Sequence, residues 1–270
     1  MCHIRSAPVG IKRPGNTISK STRSLQTSHM TSLLRWLLTG ASGICILLAL
    51  KHLLVAFRAS RRRIHVALGA AALAIAAYDY AALGVYRSGA IEDYVSAVRI
   101  HVVSAVLAYL ALVWVSAFRT RGVPGWLLWA ATGASVVVVA WNVLSTQTLL
   151  FDGVIEVQGV LLPWGEVIVQ AVVIPSAWSH VVELLTFALY GVCAYAWLSH
   201  SDDDQPGTAI PVATGMAVLL ATMVVEVADP RVVPMLPADE LGLLVLILVL
   251  AFATRPTPNS RSGQRGLVQT

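Results

Sequence analysis

The sequence predicts an all-α membrane protein: seven transmembrane helices, with a short extracytoplasmic β-hairpin-like loop between the fourth and the fifth. Three observations predict it. The 270 residues are 57% hydrophobic and 12% charged, with a mean hydropathy of +0.73, whereas a soluble domain carries about 25% charged residues. After residue 31, apolar runs long enough to cross a hydrocarbon core, roughly 17–25 residues each, recur along nearly the whole chain. The basic residues gather in the short connections between those runs, a pattern that reports membrane orientation rather than nucleic-acid binding.

Taken in order, residues 1–30 are polar, rich in Ser, Thr and Arg, and lack apolar periodicity, so they read as a disordered tail. The apolar segment after them is too long for the core of a signal peptide and shows no small-residue cleavage pattern. Met30 stands directly before Thr31-Ser32-Leu33 and is an alternative start. Residues 31–257 are expected to form the seven-helix domain, and residues 258–270 a disordered cytoplasmic tail.

The expected spans are Trp36–Phe57, Ile64–Tyr86, Val95–Phe118, Trp126–Ser145, Trp178–Leu198, Ala209–Ala228 and Ala238–Thr254. Helix is the expectation because a lone spanning segment must satisfy its own backbone groups. Trp36, Tyr86, Trp126, Trp178 and Trp197 fall near span ends, where an aromatic belt would place them. The second span holds Gly69-Ala70-Ala71-Ala72, Ala74, Ala76 and Ala77; small residues at that density let neighbours approach closely and predict a central helix.

Orientation follows from the arginines. Arg58, Arg61, Arg62, Arg63, Arg119, Arg121, Arg255, Arg261 and Arg265 lie on one side, against Arg87 and Arg231 on the other. Nine against two places the C-terminus in the cytoplasm and the 147–175 loop outside. The basic residues of the N-terminal tail dissent, unless the chain starts at Met30. That outer loop carries Asp152-Gly153, a two-residue turn signal between Leu149-Leu150-Phe151 and Val154–Val157, and a second apolar run, Val167–Val173, after a turn at Pro163-Trp164-Gly165 that Glu166 follows. A short hairpin lying as a lid over the bundle is expected. No fixed-period repeat is evident. The three cysteines form no CxxC or loop pair, so neither a disulfide framework nor a zinc site is indicated.

Depth along each span, at about 1.5 Å per residue, collects ionisable groups in one outer layer. Asp79, Arg99 with His101, Asn142, His180 with Glu183, and Glu226 come from five different spans. The inner halves of the spans are almost uncharged, apart from Lys51 and His52 near the end of the first. A charge at a helix centre costs about 2.5–3.5 kcal/mol on insertion scales, so such groups face the bundle interior and find partners. Asp79 and Arg99 are the expected ion pair, structural before catalytic. Asn142 reads as inter-helical glue before ligand contact. His180-x-x-Glu183 has metal-ligand spacing, but a single such pair is a weak metal candidate. The expected ligand-binding set is Asp79, Arg99, Asn142, Trp164, Glu166, His180, Glu183 and Glu226, with no cofactor and no catalytic residue.

The run Ala77-Tyr78-Asp79-Tyr80 with Tyr86-Arg87, followed by Asp93-Tyr94 and Arg99, resembles the second and third helices of the seven-helix N-terminal sensor modules of bacterial membrane histidine kinases. Asn142, Pro163-Trp164-Gly165-Glu166 and Pro175-x-x-Trp178 are similar to the fourth helix and outer loop of the same modules. The likeness covers roughly Trp36–Thr254. Members carry Glu where this chain has Asp79, a shorter acid that can still reach Arg99. The resemblance implies signal sensing in the plasma (inner) membrane, with output through helix seven. Such modules normally continue into a PAS or coiled-coil segment and a kinase. The sequence after Arg255 holds no phosphoacceptor helix or ATP lid, so the expectation is a non-enzymatic sensor acting on a separate kinase or regulator. The bilayer is its other partner, homodimerisation is open, and nucleic acid is not a partner.

Rival classes remain. A retinal protein needs a lysine in the last span, and the only span lysine is Lys51 in the first. A haem carrier would use His101 and His180 across helices. A solute transporter is the main alternative; against it, the polar groups stop at the outer layer.

Overall fold

Each of the seven expected spans winds into a helix. The computed structural model describes residues 33–58, 62–120, 122–145, 148–161, 165–199, 206–228 and 238–253. The helices are α1 (Leu33–Ala56), α2 (Arg62–Arg87), α3 (Ile91–Thr120), α4 (Gly125–Leu144), α5 (Ala177–Ser199), α6 (Pro206–Ala228) and α7 (Ala238–Ala253). Between α4 and α5 lie strands β1 (Phe151–Leu161) and β2 (Val167–Pro175). Helices α1 to α5 are long and apolar enough to cross a membrane; α6 and α7 contain the shorter apolar stretches Ile210–Ala221 and Gly242–Phe252. The tails expected at residues 1–30 and 258–270 lie outside the described residues.

Local chemistry sets several of the ends. Glu92 and Asp93 occupy the first turn of α3, where the helix dipole favours negative charge. Pro206 opens α6 at a position where its missing N–H has no helical partner to lose. Ser176 caps α5: its Oγ accepts the Trp178 backbone N–H at 3.2 Å.

Helix α2 is the centre, as its small residues predict. In its apolar window 61% of residues are buried, against 11% in α4, so α2 is the interior helix and α4 a peripheral one. It packs on α1, α3 and α7, through Leu68, Ala71, Ala72 and Ile75, all without exposed surface. Gly69 permits the α1 contact. A Cβ there would stand 2.9 Å from Leu53 Cγ, closer than two carbons can sit.

The aromatic residues expected at span ends divide in two. Trp36, Trp126 and Trp178 are exposed near helix ends, but Trp197 is 1% exposed and belongs to the core. Its indole N–H donates to Ser116 Oγ at 3.1 Å and ties α5 to α3. A buried indole needs such an acceptor, and Ser116 supplies it from a helix that span position alone does not indicate.

The hairpin exists, and of the two turn signals it is the later one, before Val167, at which the strands reverse. Strands β1 and β2 pair antiparallel from Phe151↔Pro175 to Leu161↔Val167, so the reversal falls at residues 162–166. Gly165, at φ +85, takes the left-handed conformation that this reversal needs. Asp152-Gly153 is not a turn; it lies within β1 at a register shift, a β-bulge that bends the strand. The physical reason is partner length. A turn at 152–153 would pair only a few residues, whereas the later turn lets nine residues of β2 pair along β1.

Candidate functional site

The hairpin covers one end of the bundle. Ile168 of β2 is buried against Leu34 and Leu38 of α1 and Ala82 of α2. Phe151 of β1 packs with Val98 and Val102 of α3. The Tyr94 side chain of α3 meets the Ala171 backbone of β2. Glu166 adds a polar clip, its Oε2 accepting the Leu34 backbone N–H at 3.3 Å. That N–H is one of the unpaired donors of the first turn of α1, so a carboxylate there satisfies a donor and complements the dipole.

Beneath the hairpin lies the polar layer expected from residue depth. Asp79 is fully buried in α2, close enough to Cys45 of α1 to act on it electrostatically. The adjacent Tyr78, 5% exposed, stacks on His101 of α3 with ring centroids 4.0 Å apart and planes 27° apart. Among the described residues His101 Nδ1 is buried with no hydrogen-bond partner. Arg99 extends its guanidinium to the C-terminal end of α4, where Nη2 donates to the Ser145 carbonyl at 2.7 Å. A cation at the negative end of a helix is favourable, and charge pairing alone did not suggest that partner.

Asn142 is a knot. It is fully buried, its Nδ2 donates to the Arg99 carbonyl at 3.1 Å, and its Oδ1 accepts the Leu149 N–H at 3.2 Å. One side chain thus joins α3, α4 and the segment entering the hairpin. The glue reading fits this geometry better than ligand contact.

His180 requires correction as a chamber wall; Glu183, part-buried and about 20° round from Tyr190 at 100° per residue, stays on the inner face of α5. The two pair with each other, His180 Nδ1 to Glu183 Oε2 at 3.2 Å, and their side chains are 67% and 31% exposed. Helix phase explains the difference. The buried face of α5 runs through Tyr190, Cys193 and Trp197, and His180 lies about 80° round from Tyr190 at 100° per residue. The same geometry denies His101 and His180 the facing arrangement a haem would need. Trp164 and the Glu226 side chain lie outside the described residues. Among the described residues no group of three or more His, Cys, Asp or Glu side chains could hold a metal ion.

Two contacts were missed by depth reasoning. One is the Tyr78–His101 stack. The other is at the opposite end of the bundle, where His52 and His65 bring their Nδ1 atoms within 3.1 Å across the α1–α2 turn. Histidine at matched depth on either side of a short turn was the available signal for it. The set under the hairpin is therefore Asp79, Tyr78 and Asn142, all buried, with the part-buried His101 and Arg99. It offers a carboxylate, an imidazole and a phenol at the meeting of α1, α2 and α3.

Compared with known proteins, the chain matches no family model and no curated protein sequence.

Proposed function

We propose that the chain is an integral membrane sensor. Seven helices cross the plasma membrane, with the C-terminus in the cytoplasm and the hairpin outside. An extracytoplasmic or lipid-phase ligand enters beneath the hairpin and meets Asp79, Tyr78 and His101. The single observation that carries this reading is the placement of the polar groups. Asp79, Arg99, His101 and Asn142 gather under the hairpin at one end of an apolar bundle, where a buried carboxylate is costly unless used. The nine-to-two distribution of arginine supports the orientation.

Output runs through the helices that follow the lid. Helix α5 packs on α6, α6 on α7, and α7 returns to α2 and α1. A ligand that favours one packing of the Asp79 layer would shift α7 by population change, and its inner end would report to a separate kinase or regulator. The reading makes the protein a signal-transduction component, related in role to two-component systems, with no catalysis of its own.

The test joins the inner end of α7 to a reporter histidine kinase in a bacterial host. Asp79→Asn and Arg99→Ala should insert normally and lock reporter output at one level across changes of medium. Unchanged, responsive output in both variants refutes the sensing role. Solute uptake into proteoliposomes would favour transport instead.

A further inference from the structure

We propose that the cleft between α3, α4 and α5 binds a single hydrocarbon chain entering sideways from the lipid phase, with Ser135 meeting an oxygen on that chain. The site is distinct from the Asp79 layer and rests on the membrane reading alone. Helices α4 and α5 both lean on α3 but scarcely touch each other. At the hairpin end they are bridged by Trp141 and Trp178, whose ring centroids stand 6.2 Å apart. Below that bridge a cleft of about 70 Å³ opens between them. Tyr109 and Val113 form its floor, Ala134 and Ser135 one wall, Thr186 and Tyr190 the other.

Size and polarity choose the occupant. A sealed cavity of about 150 Å³ lined by apolar side chains admits benzene and stays dry. A cleft that encloses half that volume and is open on its side holds a few methylenes of a chain whose remainder lies in the lipid. Its walls are helices whose outer faces carry large apolar side chains, Trp129, Val136, Val137 and Leu184 among them, so access is from lipid rather than water. Tyr109 and Tyr190 meet edge to face at 5.5 Å and stiffen the floor.

One polar group is out of place. Thr132 and Thr186 return their hydroxyls to their own helices, each at 2.8 Å from the carbonyl four residues back. Among the described residues Ser135 shows no such bond. Ten residues into α4, it lies about 15 Å from either end of the helix, near mid-membrane. A hydroxyl left unpaired in hydrocarbon is unfavourable, and an ester, keto or hydroxy oxygen on a bound chain would satisfy it.

The experiment places the protein in phosphatidylcholine nanodiscs with a stearic acid carrying a diazirine at mid-chain, and maps the photoproducts by peptide mass spectrometry. Label should concentrate on residues 131–138 and 182–190, above the exposed α1 face around Leu47 and Leu54. Ala134→Phe should remove it by filling the cleft. A mid-chain keto stearic acid should compete about five-fold better than stearic acid, the preference one hydrogen bond confers, and Ser135→Ala should abolish that difference. Even labelling around the bundle overturns the site, as does protection of the cleft by α4–α4 cross-links between two copies. A chain that does not enter the discs overturns the membrane reading and the site together; insertion with even labelling overturns the site alone.

Discussion

Replacing Asn142 with Leu keeps the volume of the side chain and deletes both of its hydrogen bonds. The Leu149 N–H and the Arg99 carbonyl lose their partners at 3.2 Å and 3.1 Å, at a position with no exposed surface. Leaving a buried polar group unsatisfied costs about 1–3 kcal/mol. The carbonyl retains a second lone pair and its helical bond, so the N–H carries most of the loss. Inter-helical hydrogen bonds in membranes average nearer 0.6 kcal/mol, which sets the floor. A total of about 2 kcal/mol follows, or roughly thirty-fold in a local opening equilibrium. The loss falls where the chain enters the hairpin, so amide exchange of Leu149–Phe151 should accelerate by about that factor. The α2 core around Leu68 and Ile75 should exchange as before. Hydrogen exchange of the protein in nanodiscs reads both regions at once. Exchange at Leu149–Phe151 within two-fold of the parent would refute the knot. Equal acceleration everywhere would show a global effect and refute the local reasoning.

Other expectations follow from single contacts. Gly69→Ala places a carbon 2.9 Å from Leu53 Cγ and should destabilise by about 1–3 kcal/mol, with partial rescue by Leu53→Ala in thermal unfolding. Trp197→Phe should cost about 1 kcal/mol by removing the bond to Ser116, and Ser116→Ala combined with it should add little, since the double-mutant cycle tests one interaction. Glu166→Ala should loosen the hairpin from α1 by about 1 kcal/mol, the range of a lost helix cap. Limited proteolysis near Gly165 reads that loosening. His180→Ala, at an exposed site, should change stability by less than about 0.5 kcal/mol and leave reporter output intact; loss of output there would return His180 to the site.

All seven helices were legible because long apolar runs leave the backbone no other way to satisfy its hydrogen bonds. Each expected span lies inside an observed helix to within a residue. That Asp79, Arg99 and Asn142 lie toward the same end of the bundle was legible too, since rise per residue is nearly constant. The direction each side chain faces was not. In a chain this hydrophobic almost every helix face is apolar, so the polar stripe that marks the outside of a soluble helix is missing. Hence His180 was assigned inward and stands exposed, while Trp197 was assigned to the belt and stands in the core. Of the two turn signals in the loop, the strands reverse at the later one, before Val167, and not at Asp152-Gly153. Asp152-Gly153 is a strong local signal, but nine residues of pairing outweigh a two-residue preference.

The sequence by itself determined the apolar, helical character of the chain, the position of the helices among the described residues, and which residues lie at similar heights along them. Hydrophobicity and length are additive along a chain, and the bilayer reads them directly. Only the tertiary structure decided that Arg99 reaches Ser145, that Asn142 joins three segments, that Glu166 caps α1 from 132 residues away, and that α4 and α5 leave a cleft between them. Those are matters of rotation and packing between helices, which depend on side chains brought together by the fold and not on their spacing in the chain.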